Sequence, residues 1–585
     1  MSAVLEGGAF PAAGGALRRW WSRGIPCPSE IVLALMVSAT WLLFYNSRFW
    51  HDTVAAMWHG TVGSASFLVS LAVLALSLQA ILVLLLPRRL MRPLLAALFM
   101  IAAAGSWFCN TYGAVMNQDM MRNVIQTDRA EASALINIEL LIHLALCGVV
   151  PAILIWKVRL PDRPPWQRMR GRFAFSLIAL LVSFGGLLAT SSSYAVFLRQ
   201  HKPVRYALIP AAPVSSLVGL LISHGKHEHT GPLLNPAGKA QRIAAATDRK
   251  PLVVFLVIGE TARADNFQLG GYGRPTNLGL SGVNDLVYFP HTWSCGTSTA
   301  ISVPCLFSPL GRTAFDVDEA GNYTNLLDSL VAAGFDVEWR DNNSGCKGVC
   351  ARVRTQVYSA AQDPQDCKSD NCYDDVMLED LSQHLATIRR DTVIVFHQVG
   401  SHGPAYSSRY PQGSGPFEPA CHSNQLDRCT AQEIVNAYDN TIAYTDSVLT
   451  RQISTLQRAT SLDSLLLYVS DHGESLGEQG VYLHGLPYSF APDVQKHVPM
   501  LIWASTGYQQ RTGLDMQCLH REAAGTFSHD NFYHTVLGAT DVRNDVYQSD
   551  LDILSACRNA VHAPHAPQLA TEADTRATSA ATSRS

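Results

Sequence analysis

Residues 465–475, LLLYVSDHGES, run apolar and then stop at Asp471-His472-Gly473-Glu474. That pattern predicts a buried strand whose carboxyl end delivers polar side chains to a site. A second apolar run, VVFLVIGETARAD (253–265), ends the same way at Glu260. CGTSTAISVPC (295–305) is a hydroxyl-rich turn between two cysteines, with Thr299 inside it. Singly these residues say little: a Glu after a strand is usually a solvated turn residue, and a lone Thr a helix cap. Together, Glu260, Asp471 and His472 supply two carboxylates and an imidazole, and the Thr299 oxygen completes four-coordination of one divalent metal, Zn²⁺ or Mn²⁺. Such a metal stabilises the alkoxide of a weak alcohol nucleophile. A threonine at a helix start also lies among backbone amides that favour an incoming phosphate. The expectation is metal-dependent phosphoryl-type chemistry.

Further polar groups sit in turns after predicted strands. DNNSGCKG offers Asn343 and Lys347, HQVGSHGP offers His397 and His402, and GVYLHG offers His484. Lys347 would neutralise phosphate charge. His402 and His484 would hold a second metal or act as acid and base. With 20 histidines in the chain a single one means little, but these two lie in Gly-flanked turns.

The elements that must position these residues are apolar strands alternating with amphipathic helices. Strands are predicted at 252–258, 392–398, 464–470 and 498–503, and helices at 322–333, 374–389, 431–456 and 529–538. This is the pattern of an α/β sandwich around a largely parallel sheet. It fills only part of the 585 residues. Five stretches before residue 195 are apolar enough to span a bilayer: 30–46, 64–86, 92–112, 138–157 and 173–193. A soluble core made of five such segments is improbable. The expected organisation is a transmembrane domain (1–193), a connector (194–250), a catalytic domain (251–561) and a disordered Ala/Thr/Ser/Pro-rich tail (562–585). The connector reads equally well as a membrane-surface amphipathic helix or an exposed linker.

Arginines set the orientation. They cluster before the first span (Arg18, Arg19, Arg23), in the second connection (Arg88, Arg89, Arg92) and in the fourth, with Lys157 and Arg159 through Arg172. Alternation of basic and mixed segments places the N-terminus in the cytoplasm and everything after an odd number of spans outside, with no cleavable signal peptide expected. Cysteine usage agrees. Ten of the 13 cysteines lie beyond residue 290, as close neighbours: Cys295 and Cys305, Cys346 and Cys350, Cys367 and Cys372, Cys421 and Cys429, with Cys518 and Cys557 as a longer pair. Five disulfides in an oxidising compartment fit better than a zinc-thiolate site, because the spacings repeat no CxxC pattern. A net charge of −3 gives no sign of nucleic-acid binding.

GETARADNFQLGGYGRPTN, SCGTSTAISVPC, WRDNNSGCKGVC, GSHGP and SDHGESLGEQGVYLHG, in that order, resemble the lipid A phosphoethanolamine transferases of Gram-negative bacteria, which include the mobile colistin-resistance enzymes. The resemblance covers the membrane part and the soluble domain. It implies an alkaline-phosphatase/sulfatase-like fold in the inner membrane with its catalytic domain in the periplasm, and one firmly held zinc with a second as a further expectation. It implies Thr299 as the residue that accepts phosphoethanolamine, Glu260, Asp471 and His472 as zinc partners, and Asn343, Lys347, His402 and His484 as substrate or additional zinc ligands. His397 is placed among the substrate-binding residues. It also implies a lipid headgroup site at Asn123, Thr127 and Glu131, which would share one face of a continuous helix. The donor would be phosphatidylethanolamine and the acceptor lipid A, with a lipopolysaccharide core sugar or a glucan as the alternative. One departure is Leu278 after Asn277, where the family often carries proline. A sulfatase activity is disfavoured, because Cys305-Leu-Phe-Ser-Pro does not fit the C/S-x-P-x-R pattern that makes formylglycine. A glycerophosphate transferase or a non-catalytic binding protein on the same fold are the remaining rivals.

Overall fold

A computed structural model describes residues 24–127, 129–227, 232–243, 249–358, 367–368 and 371–558. The predicted tail and Arg18, Arg19 and Arg23 lie outside the described residues.

Strand β1 (Leu252–Gly259) is buried at every residue, as are β5 (Thr392–His397) and β6 (Asp463–Ser470). Strands buried on both faces belong to the middle of a sheet covered on both sides. The remaining strands are β2 (Leu286–Trp293), β3 (Asp336–Asp341), β4 (Arg354–Val357), β7 (His497–Ala504) and β8 (Phe527–Ser528). The eight-stranded sheet runs β8-β2-β7-β6-β1-β5-β3-β4. Only β7 runs against its neighbours β6 and β2, so the sheet is largely parallel, as expected. The side chains of β1 alternate between layers. Val254, Leu256 and Ile258 pack with Val303 and Phe532 on one face. Val253, Phe255 and Val257 pack with Tyr438, Ile442 and Leu449 of the long helix Ala431–Arg458 on the other. That helix begins in a capping box of Thr430 and Glu433.

Some predicted elements are corrected. The helix expected at 322–333 starts at Leu326, because Asn325 and Asp328 cap each other's backbone amides. The helix expected at 374–389 breaks into a 3₁₀ turn (Asp374–Leu378) and a short helix (Leu381–Thr387). The Asp374 carboxylate is committed instead to the amides of Val399 and Gly400.

The N-terminal part is helical. Among the described residues four helices, Val62–Leu85, Met91–Tyr112, Ile138–Lys157 and Pro165–Ala189, are long and apolar enough to cross a membrane. The first expected span is instead a bent pair, Glu30–Phe44 and Ser47–Met57, at 67°. Buried Asn46 explains the bend. Its amide donates to the carbonyls of Trp41 and Ile209, and its side-chain oxygen accepts the Ile209 amide. Within its described residues the connector is helical and packs on the membrane-type helices through part of its surface. Tyr194 and Phe197 pack on Phe67, and helix Ala211–His227 is tied by Ser216 to the Met116 carbonyl.

Candidate active site

Register places the site. Gly259 of β1 lies beside Ser470 of β6, so the next residues, Glu260 and Asp471, leave neighbouring strands side by side. On the other flank of β1, the Ser401 amide after β5 donates to the Glu260 carbonyl. This is the crevice at the carboxyl ends of parallel strands, where open α/β sheets bind their ligands. The loops close tightly here. Thr261 adopts a left-handed φ of 51°, rare for a β-branched residue, and Tyr438 holds it by donating to its carbonyl. A side chain at Gly400 would meet the Glu260 backbone at 2.7 Å.

Glu260, Asp471 and His472 are fully buried, with ligand atoms within 4.8 Å of one another. The His472 Nδ1 donates to the Gly473 carbonyl at 2.9 Å. A carbonyl only accepts, so the proton is on Nδ1 and the Nε2 lone pair faces the site. Nε2 lies 3.3 Å from both a Glu260 and an Asp471 oxygen. Asp471 spends Oδ1 on the amides of Thr261 and His472, while its buried Oδ2 makes no hydrogen bond. A free imidazole lone pair and an orphaned carboxylate oxygen, converging in a dry pocket, fit a divalent cation. The titration behaviour agrees. Burial and the charge of Glu260 push Asp471 up to about 7. Burial works against ionised Glu260, yet His472 holds it far below the usual carboxylate range. Against burial, Asp471 and Glu260 in turn push His472 up to about 9, so a cation bound at Nε2 would take the place of a proton there.

Thr299 opens the helix Thr299–Leu306. Its hydroxyl lies 3.0 Å from Glu260 Oε2 and 3.4 Å from His472 Nε2. The Cys295–Cys305 disulfide closes the loop around it. All five expected disulfides form, and Cys346–Cys350 brackets Lys347.

The other expected residues divide. Asn343 donates to Glu260 Oε2 at 2.7 Å, orienting that carboxylate. Lys347 faces a large cavity, with its ammonium on Ser344. His397 is not brought into that cavity. As the last residue of β5 it is fully buried, bonded to Asp341 at 3.2 Å and packed on Trp339. His402 and His484 do converge on the site, with ring centroids 5.2 Å apart and that of His484 4.4 Å from His472. Asn123, Thr127 and Glu131 line the cavity, but not from one helix. The helix Gln118–Gln126 ends at Thr127, whose hydroxyl and amide both turn back to the Asn123 carbonyl, and Glu131 sits on a separate helix, Arg129–Leu135. The Glu131 carboxylate reaches His402 Nε2 at 3.4 Å.

Two contributors were missed. Glu474, the last residue of the Asp-His-Gly-Glu motif, is fully buried and bonds His484 at 3.3 Å, with its other oxygen unpartnered. Its place in that motif was the available signal. His529 accepts the Cys295 amide at Nδ1 and donates from Nε2 to the Ser470 carbonyl, tying the Thr299 loop to the strand that carries Asp471. Nothing in its sequence neighbourhood announces this.

The cavity has a volume of about 880 Å³. Its polar end is Thr299, Lys347, His402 and His484, and its walls are membrane-type helices, including Leu94 through Tyr112 of one helix. That stretch rises about 27 Å.

Comparison with known proteins decides the family. The EptA phosphoethanolamine transferase of Salmonella typhimurium is 38% identical over 93% of this chain and 99% of its own length. The chain belongs to the EptA/Mcr family of phosphoethanolamine transferases. The family model for phosphoethanolamine transferase EptA/EptB matches residues 73–224, and the sulfatase family model matches 253–542. Phosphatidylethanolamine transferase Mcr-1 of Escherichia coli is 36% identical over 90% of this chain and 97% of its own. The structure of the integral membrane lipooligosaccharide phosphoethanolamine transferase EptA of Neisseria meningitidis superposes with a TM-score of 0.87 at 34% identity, covering 91% of this chain and 99% of that one. This EptA/Mcr-type chain is thus a phosphoethanolamine transferase with a helical membrane domain and a sulfatase-like catalytic domain.

Proposed function

We propose that this transferase moves phosphoethanolamine from phosphatidylethanolamine to a phosphate of lipid A through a covalent adduct on Thr299. The observation that carries the reading is the continuity of the cavity. A polar end at a nucleophile joins an apolar channel whose wall of about 27 Å is more than long enough for the roughly 15 Å of acyl chain in one leaflet. A soluble phosphoester would need no such walls.

Glu260, Asp471, His472 and Thr299 would hold a zinc ion, whose positive charge would make the Thr299 hydroxyl easier to ionise. The chain's own groups do the rest. The Thr299 hydroxyl is oriented by Glu260 Oε2, and its proton passes to water as Oγ1 bonds to phosphorus. The bond from phosphorus to the diacylglycerol oxygen breaks, and that oxygen takes a proton from His484, which Glu474 holds in place. Burial holds His402 down near a pKa of 3, so it is neutral, in the form that ligates a cation or accepts a proton. In the second displacement a lipid A phosphate oxygen attacks the adduct and Thr299 regains its proton. Lys347 and the amides at the start of the Thr299 helix stabilise the phosphoryl oxygens. Ten paired cysteines and arginine-rich helix ends remote from the catalytic domain support an inner-membrane enzyme with its active site in the periplasm.

The test is mass spectrometry of lipid A from cells expressing wild type or Thr299→Ala. A phosphoethanolamine-sized gain with wild type alone is the expected result. No gain with folded wild type rejects lipid A and moves the search to core sugars and glucans; a gain with both rejects Thr299 as the nucleophile.

A further inference from the structure

A second cavity, of about 730 Å³, lies at the opposite end of the membrane helices, and the transfer reaction uses none of it. Arg88, Arg89, Arg92, Arg168 and Arg172 line it, against one buried carboxylate, Glu30, and one exposed one, Asp162. Three positive charges are left over. Glu30 is already taken by Arg172 at 2.7 Å and Arg88 at 3.4 Å, while Arg168 reaches it only at 3.9 Å and has a buried Nε without a hydrogen bond. Arginines that merely set topology project into water. Here they are built in: Arg92 donates to the Val158 carbonyl, Arg88 to those of Leu160 and Pro161, and Arg172 to those of Leu84 and Leu86. The cavity floor is apolar, from Leu33, Met91, Leu95 and Ile155. The helix Met91–Tyr112 starts here and ends at the catalytic domain 22 residues later, a rise of about 33 Å, which is one bilayer core away.

We propose that this pocket binds the phosphate of an anionic phospholipid from the leaflet opposite the active site. Guanidinium groups match phosphate oxygens bidentately, and an apolar floor beneath them takes the first part of an acyl chain. Arg89 and Arg168 face the lipid; Arg88, Arg92 and Arg172 hold the rim in shape.

The full chain in detergent, titrated with phosphatidylglycerol and read by native mass spectrometry and thermal shift, tests this. Wild type is expected to keep phosphatidylglycerol in preference to phosphatidylcholine. The double variant Arg89→Gln/Arg168→Gln is expected to bind it at least fivefold more weakly. Arg170→Gln, on the same helix but outside the pocket, is expected to match wild type. An equal loss with Arg170→Gln would reduce the effect to surface charge. Equal retention of phosphatidylcholine would remove the arginines' role, and equal protection by inorganic phosphate alone would replace the lipid with a free anion. If the double variant does not fold, Arg89→Gln alone carries the same comparison.

Discussion

The active site has two halves built in opposite ways. The inner half, Glu260, Asp471 and His472, leaves adjacent buried strands, has no solvent exposure, and is fixed by backbone amides and one carbonyl. The outer half, His402, His484, Glu474 and Glu131, comes from loops of the catalytic domain and, at Glu131, from a short helix of the membrane part. Rigid strand ends fix the positions of these three side chains. Loops that touch a membrane helix can instead sense whether a lipid occupies the space between them. The difference teaches a division of labour, with chemistry preorganised in the sheet and substrate engagement shared across the domain boundary.

The inner half should fail outright. Asp471→Asn keeps the shape but removes the orphaned carboxylate charge, so bound zinc is expected to fall to a small fraction of wild type and transfer by about a hundredfold or more. Metal analysis of the purified protein, alongside turnover of a fluorescent phosphatidylethanolamine, checks both. Full zinc content with lost turnover would mean Asp471 acts on substrate and not as a ligand. Thr299→Ala, in contrast, is expected to retain the folded protein and abolish the adduct seen by intact mass.

The outer half should fail by degree. Glu131→Gln removes the carboxylate that meets His402 Nε2 but leaves the inner triad untouched. The expected result is a three- to tenfold loss, on the order of 1 kcal/mol, in kcat/KM toward the lipid donor, with zinc content unchanged. An equal loss toward a water-soluble phosphoethanolamine ester would break the comparison, because it would put Glu131 in the chemistry instead of in lipid engagement.

The same contrast explains what was legible in the sequence. Strands that end at a site announce themselves, since LVVFLVIGE and LLLYVSDH are unbroken hydrophobic runs that stop at a charge. Strand Asp336–Asp341, DVEWRD, does not. Its buried Arg340 is matched by Glu338 at 2.9 Å and by Asp380 at 2.7 Å, a partner 40 residues away, so a central strand reads as polar. Leu286–Trp293 carries Pro290 beside a register shift in its neighbour and likewise loses the strand signal. Helical periodicity grouped Asn123, Thr127 and Glu131 correctly around one cavity but through the wrong element, because the backbone turns extended at Thr127 and ends the helix there. His397 looked like a site residue by its position at a strand end. Its side chain is buried against Asp341 and Trp339, behind the residues that line the cavity.

The last expected effect is on stability and runs through His529, which ties the Thr299 loop to the strand that carries Asp471. Burial lowers its pKa to about 4, against about 6.5 when unfolded. Above pH 6.5 both states are neutral and the bonds to Cys295 and Ser470 stand. As pH falls from 6.5 toward 4, the unfolded chain takes a proton that the native one refuses, so stability drops, by about 2 kcal/mol at pH 5. Melting curves at pH 7 and pH 5 should therefore diverge more for wild type than for His529→Asn, which has no proton to take up. Equal divergence in the two proteins would assign the acid sensitivity to the carboxylates of the inner half, and would leave His529 as a packing residue with no hold on the Thr299 loop.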